Sequence, residues 1–477
     1  MLYLLPFDYR KINSDKYVVI NQCGDFYFLD NNSFLLLYNQ DLPADHPDYL
    51  NLKSRSFFYT DENKFNLSKI SAKYRSKLSF LRDFTTLHML VVTLRCNQRC
   101  LYCQVSCADE SALAYDMSIQ TAGKVIEAIF QSPSKTIKIE FQGGEPTLNW
   151  DTVSYAVLFA EEKSKLFEKN IEFVLCTNLT TITPQQLEFC ALHNIAISTS
   201  LDGPSFIHDK YRISLNKTST YEIFMHNYRL AKSIVGNRIN ALMTTTAYSL
   251  NYLPQIIDEY INLGFDGIFI RSINPYGFAV TQNNLLNYQA NQFVDAYTNA
   301  LDYIFEINKT TYFQEYFASI LFKKIFTPYP TGFVDLQSPA GTGISGVIYD
   351  YDGNVFPSDE ARMLARMGDE YFKLGNVFTQ SYLEIFNGEK LRNIIKFSCN
   401  EIIPSCVYCA YKIFCGADPV RNYLESGKIL RDMTNTFFCK KNKLIFDWIF
   451  DFISNMSECD ENIIWSWLNP QYCDHNA

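Results

Sequence analysis

The chain has 477 residues, 47% of them hydrophobic and 16% aromatic, enough apolar material for a large core and more than one domain, which excludes a disordered polymer. Its 42 Lys and Arg against 51 Asp and Glu leave a formal charge of −9, which argues against a general nucleic-acid binder with a basic face. No stretch pairs a basic region with an apolar core and a cleavage site, and no apolar run reaches membrane-spanning length. The expected location is therefore the cytoplasm, with neither nucleic acid nor membrane as partner, and the 14 cysteines then point to metal binding or catalysis before disulfides.

Residues 1–85 read as a separate N-terminal α+β piece. Tyr17-Val18-Val19-Ile20 and Phe26-Tyr27-Phe28-Leu29 are two short strands around a turn at Gly24-Asp25, and Asp30 to Ser33 offers a cap for a helix through Phe34 to Leu37. Two strands followed by helices resemble the small winged-helix domains that recognise peptides by adding them as an edge strand. A plain cap over the next domain is the alternative.

From 86 to 310 strand and helix patterns alternate, which predicts a parallel sheet with helices outside. Strands are expected at Leu90 to Thr93, Thr136 to Phe141, Glu172 to Thr177, Ala196 to Leu201, Ala241 to Thr245 and Gly267 to Arg271, with helices such as Ile119 to Ile129 and Leu253 to Leu263 between them. Sites in such sheets gather at the carboxyl ends of the strands.

At the end of the first strand stands Cys96-Asn97-Gln98-Arg99-Cys100-Leu101-Tyr102-Cys103, a C-x3-C-x2-C pattern. Three thiolates this close can hold three irons of a cubane cluster and leave the fourth open; a zinc site or scattered structural thiols are the alternatives. The stretch resembles the cluster loop of the radical S-adenosylmethionine (SAM) enzymes, which implies a partial (β/α)6 barrel over 86–310, a SAM-binding [4Fe–4S] cluster on Cys96, Cys100 and Cys103, and SAM as co-substrate. Gln142-Gly143-Gly144-Glu145-Pro146 after the second strand resembles the family's GGEP motif, which binds the amino group of SAM. Ser200-Leu201-Asp202-Gly203 with His208-Asp209-Lys210-Tyr211-Arg212 resembles a run in its peptide-modifying members that places a serine and an arginine near the SAM carboxylate. The resemblance thus makes Tyr102, Gln142, Gly143, Gly144, Glu145, Pro146, Asn178, Ser200 and Arg212 the cofactor-contact candidates. For His208 and Asp209 a role in capping a helix start is preferred to catalysis.

Residues 311–337 are aromatic and apolar, without a motif, and read as a bridge. Beyond them Asp352-Gly353 between two alternating runs predicts a hairpin. With Ser338-Pro339-Ala340-Gly341 and Pro357-Ser358-Asp359, the segment from 338 to 477 resembles the SPASM/twitch extension, in which cysteines stand where this chain has Ser338 and Ser358. Cys406-x2-Cys409-x5-Cys415 and the later Cys439 match the ligands of its outer auxiliary [4Fe–4S] cluster, whereas Pro419 stands at a further inner-cluster position. One auxiliary cluster is therefore expected and not two, zinc on the same four thiolates being the alternative. Asp359 falls where some SPASM enzymes keep a general base; a capping aspartate is the competing reading. Cys23, Cys107, Cys176, Cys190, Cys399, Cys459 and Cys473 remain as incidental thiols, Cys107 being close to the first cluster.

Pro357 to Leu364 together with Cys415-Gly416-Ala417-Asp418-Pro419 look most like the radical SAM maturase of His-Xaa-Ser peptide systems. The likeness implies a 5′-deoxyadenosyl radical that abstracts hydrogen from a ribosomally made precursor peptide, forming a side-chain crosslink (cyclophane or ether), with a flavodoxin or ferredoxin as electron donor. A sulfatase-type maturase, a peptide epimerase, or a non-catalytic peptide-binding or electron-transfer protein are the alternatives.

Overall fold

A computed structural model describes residues 2–60, 67–281 and 286–469; Cys473 lies outside them. The chain opens with β1 (Leu2–Leu4), β2 (Phe7–Lys11), β3 (Lys16–Asn21), β4 (Phe26–Asp30) and, after two helices, β5 (Phe58–Thr60). Strands β2, β3 and β4 form an antiparallel sheet, and β1 pairs with β5. The two expected strands are β3 and β4, and Asp30 caps the helix Asn31–Tyr38 by accepting from the Ser33 N–H at 2.7 Å. A separate small core of Val19, Leu29, Phe34, Leu37, Leu52, Phe57 and Phe58 holds this piece together. It docks on the late helix Phe437–Asn455 through the Arg10–Asp447 pair at 2.9 and 2.7 Å and the Phe26–Phe450 edge contact, and Lys412 meets Asp8 at 2.6 Å.

Next come β6 (Leu87–Thr93), β7 (Thr136–Gly143), β8 (Asn170–Thr177), β9 (Ala196–Ser200), β10 (Ile239–Thr244), β11 (Gly267–Ile268) and β12 (Ile270–Arg271). Sequential neighbours from β6 to β10 pair in parallel, and β12 joins β10. The expected sixth strand is thus split: β11 leaves the sheet to pair with β13 (Gln314–Glu315). Alternation sorts the faces. On β7, Ile137, Ile139 and Phe141 are buried toward the outer helices, while Glu140 and Gln142 line the interior cavity. The helix Ile119–Ile129 covers the outside, with Ser118 as its cap and Ala122, Val125, Ile126 and Ile129 buried; each such Val or Ile contributes about 1.5–3 kcal/mol by burial.

The sheet does not stop at the expected boundary near 338. Strand β14 (Gly346–Tyr349) pairs in parallel with the first barrel strand, Leu87 opposite Gly346, and carries β15 (Asn354–Phe356) and β16 (Gly375–Asn376) outward as an antiparallel extension. The result is one nine-stranded sheet, β12-β10-β9-β8-β7-β6-β14-β15-β16. Asp352-Gly353 makes the hairpin between β14 and β15, with Gly353 at φ +82°. Parallel addition places the C-terminal segment beside the mouth of the barrel.

Candidate active site

The loop that leaves β6 is clamped before its first cysteine. Arg95 forms a bidentate pair with Asp116 at 2.8 and 2.7 Å and also donates to the carbonyls of Glu110 and Leu148. Further along, the Arg99 and Leu101 N–H groups bond to the Ile213 and Tyr211 carbonyls, and the Cys103 carbonyl accepts from the Phe278 N–H. Cys96, Cys100 and Cys103 all face a cavity of about 580 Å³ at the carboxyl ends of the strands. Burial pushes the Cys100 thiol up to about 12. A thiolate here therefore needs a cation beside it, which iron supplies.

Gly143 and Gly144 pin the next loop against this one. A Cβ at Gly143, whose φ is +142°, would sit 1.9 Å from the Thr93 carbonyl oxygen, and one at Gly144 would sit 2.1 Å from that of Arg95. The Gly144 and Glu145 N–H groups bond to those same two oxygens at 2.8 and 2.7 Å. Glycine is required at both positions for the two loops to touch.

Gln142, Gly143 and Gly144 line the cavity; Glu145 and Pro146 do not. The Glu145 carboxylate is already occupied by protein donors. It is buried and accepts from Thr147 N at 3.1 Å, Thr147 Oγ1 at 2.8 Å, Thr177 Oγ1 at 2.7 Å and Asn178 N at 2.8 Å. Burial still raises its pKa above the usual carboxylate range. Glu145 thus ties the end of β7 to that of β8. Asn178, which does line the cavity, reaches Asn97 Oδ1 at 3.0 Å and lies 3.9 Å from Cys96 Sγ.

Ser200, Tyr102 and Arg212 also line the cavity. Arg212 forms a bidentate pair with Asp202 at 2.9 and 3.2 Å, stands over the Tyr102 ring at 5.4 Å, and the Tyr102 hydroxyl donates to the same carboxylate. Asp202 was quoted in the sequence motif without a role; it fixes the guanidinium. The helix-start role expected of Asp209 holds, for the helix that follows, Thr220–Val235; both His208 and Asp209 themselves sit within the helix Ser205–Tyr211. His208 Nδ1 accepts from Asp202 N at 3.4 Å, and Asp209 accepts from Ser219, Thr220 and Tyr221 at the start of the following helix.

The far wall comes from the C-terminal segment. Ser358 accepts from Ala361 N at 3.3 Å and caps the helix Asp359–Arg366, so the capping residue is Ser358 and not Asp359. Asp359 lines the cavity but is held by Arg362 at 3.0 Å. A free base there would have to break this pair.

A second thiol group lies behind this wall. Cys406, Cys409, Cys415 and Cys439 shift one another's proton affinity, and burial pushes Cys406 and Cys415 up to about 12. Asn442 Nδ2 donates to Cys415 Sγ at 3.6 Å, and Cys439 sits in the first turn of the helix Phe437–Asn455. Among the described residues no three His, Cys, Asp or Glu side chains are placed to hold a single metal ion. Arg95, Asp335, Lys441 and Asn442 fall in no motif, because single polar residues without a spaced partner carry no pattern, while Asp202, Glu360 and Asp418 stand in motifs that give them no role.

Comparison with known proteins agrees with this architecture. Residues 90–259 match the radical SAM superfamily, and residues 345–410 match SPASM, an iron–sulfur cluster-binding domain. A cysteine-type anaerobic sulfatase-maturating enzyme of Clostridium novyi (strain NT) is 23% identical over 382 residues, covering 76% of this chain and 95% of that protein. The solved structure of native anSMEcpe with bound AdoMet superposes with a TM-score of 0.65 at 18% identity over 79% of this chain and all of the other. That of Streptococcus suis SuiB bound to precursor peptide SuiA has a TM-score of 0.53 at 14% identity, over 92% and 100%. No helix among the described residues is long and apolar enough to cross a membrane. A [4Fe–4S] cluster and SAM are the cofactors that the first domain implies, and iron–sulfur binding is the property of the second. The chain is thus a SAM-dependent enzyme with a radical SAM domain over residues 90–259 and a C-terminal SPASM domain over 345–410.

Proposed function

We propose that the enzyme modifies a ribosomally made precursor peptide and joins two of its side chains in a crosslink, in the manner of a His-Xaa-Ser system maturase. The observation that carries this reading is the single cavity of about 580 Å³ whose one wall is the cysteine loop and whose other wall is the C-terminal segment. Cys96, Cys100 and Cys103 hold the SAM cluster. Cys406, Cys409, Cys415 and Cys439 hold one auxiliary cluster; in place of the inner-cluster cysteines stand Ser338, bonded to Glu401 at 3.1 Å, and Ser358, occupied in capping. When bound, cluster and SAM together supply one-electron cleavage of SAM and abstraction of a substrate hydrogen.

The protein's own groups do the positioning. Arg212, oriented by Asp202 and Tyr102, offers a planar fork to the SAM carboxylate. Gly143 and Gly144 bring the backbone to the same edge, and Ser200 and Asn178 close the floor. Residues 1–85 form the candidate leader-peptide module, 86–310 the barrel, 311–337 the bridge and 338–477 the auxiliary-cluster segment. A flavodoxin or ferredoxin supplies the electron, and the cytoplasm is the proposed location.

A sulfatase-type maturase is the second reading, favoured by the extent of the Clostridium novyi match. The Asp359–Arg362 pair counts against a free base in that chemistry. The test is anaerobic turnover with SAM and a precursor peptide encoded nearby. Formation of 5′-deoxyadenosine with a peptide about two mass units lighter and resistant to sequential cleavage supports the crosslink. A peptide of unchanged mass in ordinary water and about one unit heavier in deuterium oxide, with the label at one α-carbon, replaces it by epimerisation, and formylglycine replaces it by sulfatase maturation.

A further inference from the structure

The C-terminal wall carries a group of carboxylates that neither proposed cluster uses. Asp335, Glu360 and Asp418 line the cavity beside Lys441 and Asn442. Among the described residues the Glu360 carboxylate has no hydrogen-bond partner beyond its own backbone N–H. Burial, then Asp335, Asp359 and Asp418, push it up to about 8, and burial likewise raises Asp418 to about 6. Arg421 acts on Asp418 but is also drawn to Glu425 at 3.0 Å, and Arg362 is drawn to Asp359. Lys441 meets Ser272 Oγ at 3.4 Å and stands over the Phe317 and Phe438 rings, and Arg271 reaches the cavity from β12. The charges acting on Glu360 are those of other carboxylates.

Besides Arg362 Nη1, two buried polar groups, Asn442 on the cavity lining and Tyr276 behind it, lack partners for one atom each among the described residues. Asn442, 3% exposed and on the cavity lining, directs Nδ2 to Cys415 but leaves Oδ1 without a hydrogen bond. Tyr276, 1% exposed, has an unpartnered hydroxyl whose charged surroundings are Asp418, Glu360, Arg421 and Glu425. Buried polar atoms are nearly always paired, so an unpartnered pair at one wall calls for a ligand group. Arg362 Nη1 is an open donor, but Arg362 is already drawn to Asp359; the open groups on the cavity lining, the Glu360 carboxylate and Asn442 Oδ1, are acceptors, and the carboxylates repel one another. Both conditions are relieved by one group rich in N–H donors and carrying positive charge.

We propose that Asp335, Glu360, Asp418 and Asn442 form a subsite for the ammonium or guanidinium group of a lysine or arginine side chain in the substrate peptide. The inference rests on the peptide-maturase reading and adds a residue class to it. It also gives a use to the space beside Ser358, where no cluster is held.

The test is binding of Nα-acetyl-lysinamide and Nα-acetyl-argininamide, against Nα-acetyl-norleucinamide, to the reconstituted SAM-loaded enzyme by ligand-observed NMR. The cationic probes should bind at least tenfold more tightly than the neutral one and weaken as salt is raised. Glu360→Gln combined with Asp418→Asn, which retains a capping side chain, should remove at least tenfold of that preference, and Tyr276→Phe about threefold. Equal binding of all three probes to the parent overturns the subsite whether or not the variants fold, as does a preference that the folded variants keep. SAM cleavage in the same preparation separates this failure from failure of the radical SAM reading.

Discussion

The two walls of the cavity are built on opposite principles. On the barrel side Arg212 has its carboxylate, and the residues behind the lining are locked, Glu145 by four hydrogen bonds and Arg95 by three partners; Thr199 Oγ1 is the open group there among the described residues. On the C-terminal side Arg362 Nη1, Asn442 Oδ1 and the Glu360 carboxylate are left open, and Tyr276 beside them has a free hydroxyl. A wall serving one fixed cofactor can be completed in advance, because the same groups always arrive. A wall serving a peptide must keep groups open for it.

The largest effect should come from the locked wall. Alanine at Cys96, Cys100 or Cys103 removes a cluster ligand, and 5′-deoxyadenosine formation should fall by at least about a thousandfold. Arg212→Lys keeps the charge but loses the fork; the Kd for SAM, measured by equilibrium dialysis, should rise about tenfold or more, in line with a charge-assisted bond of about 1.5–3 kcal/mol. Glu145→Gln faces an amide toward donors, and the Tm of the reconstituted enzyme should drop by a few degrees, consistent with about 1–3 kcal/mol for an unsatisfied buried group.

The smallest effect concerns pH. Glu315 is buried, accepts from Tyr297, Ala318 and Ile270, and burial raises its pKa to about 7 from 4.5. A carboxyl that binds its proton more tightly in the folded state stabilises the fold fully below the unfolded pKa and loses that contribution as pH rises to about 7. Thermal scans from pH 4.5 to 7.5 should show Tm declining over this window, and Glu315→Gln should flatten the slope while lowering Tm throughout. An unchanged slope would remove Glu315 from the account.

Much of the barrel was legible because its signals are periodic or spaced. The alternation of strand and helix patterns marked β7, β8 and the helix Ile119–Ile129, and C-x3-C-x2-C marked the loop. The continuation of the sheet through β14 was not legible, because pairing between Leu87 and Gly346 is a long-range contact with no local signature. Strand β2 was missed since Phe7-Asp8-Tyr9-Arg10-Lys11 carries charge on one face, as an edge strand does. Glu145 was placed at the cofactor from its motif, yet its partners Thr147 and Thr177 come from two different strand ends and appear only in three dimensions. The open wall was not legible as a site: Glu360 and Asp418 stand in motifs and Asp335 does not, and only the fold brings the three to one cavity.

The contrast between the walls depends on how much iron the C-terminal segment holds. Iron and sulfide per chain after anaerobic reconstitution, for the parent and for Cys406→Ala with Cys409→Ala, test it directly. One SAM cluster and one auxiliary cluster predict about eight irons in the parent and about four in the variant. About twelve in the parent would place a cluster at the inner wall and contradict its assignment to substrate; about four in both, with zinc in the parent, would contradict the auxiliary cluster.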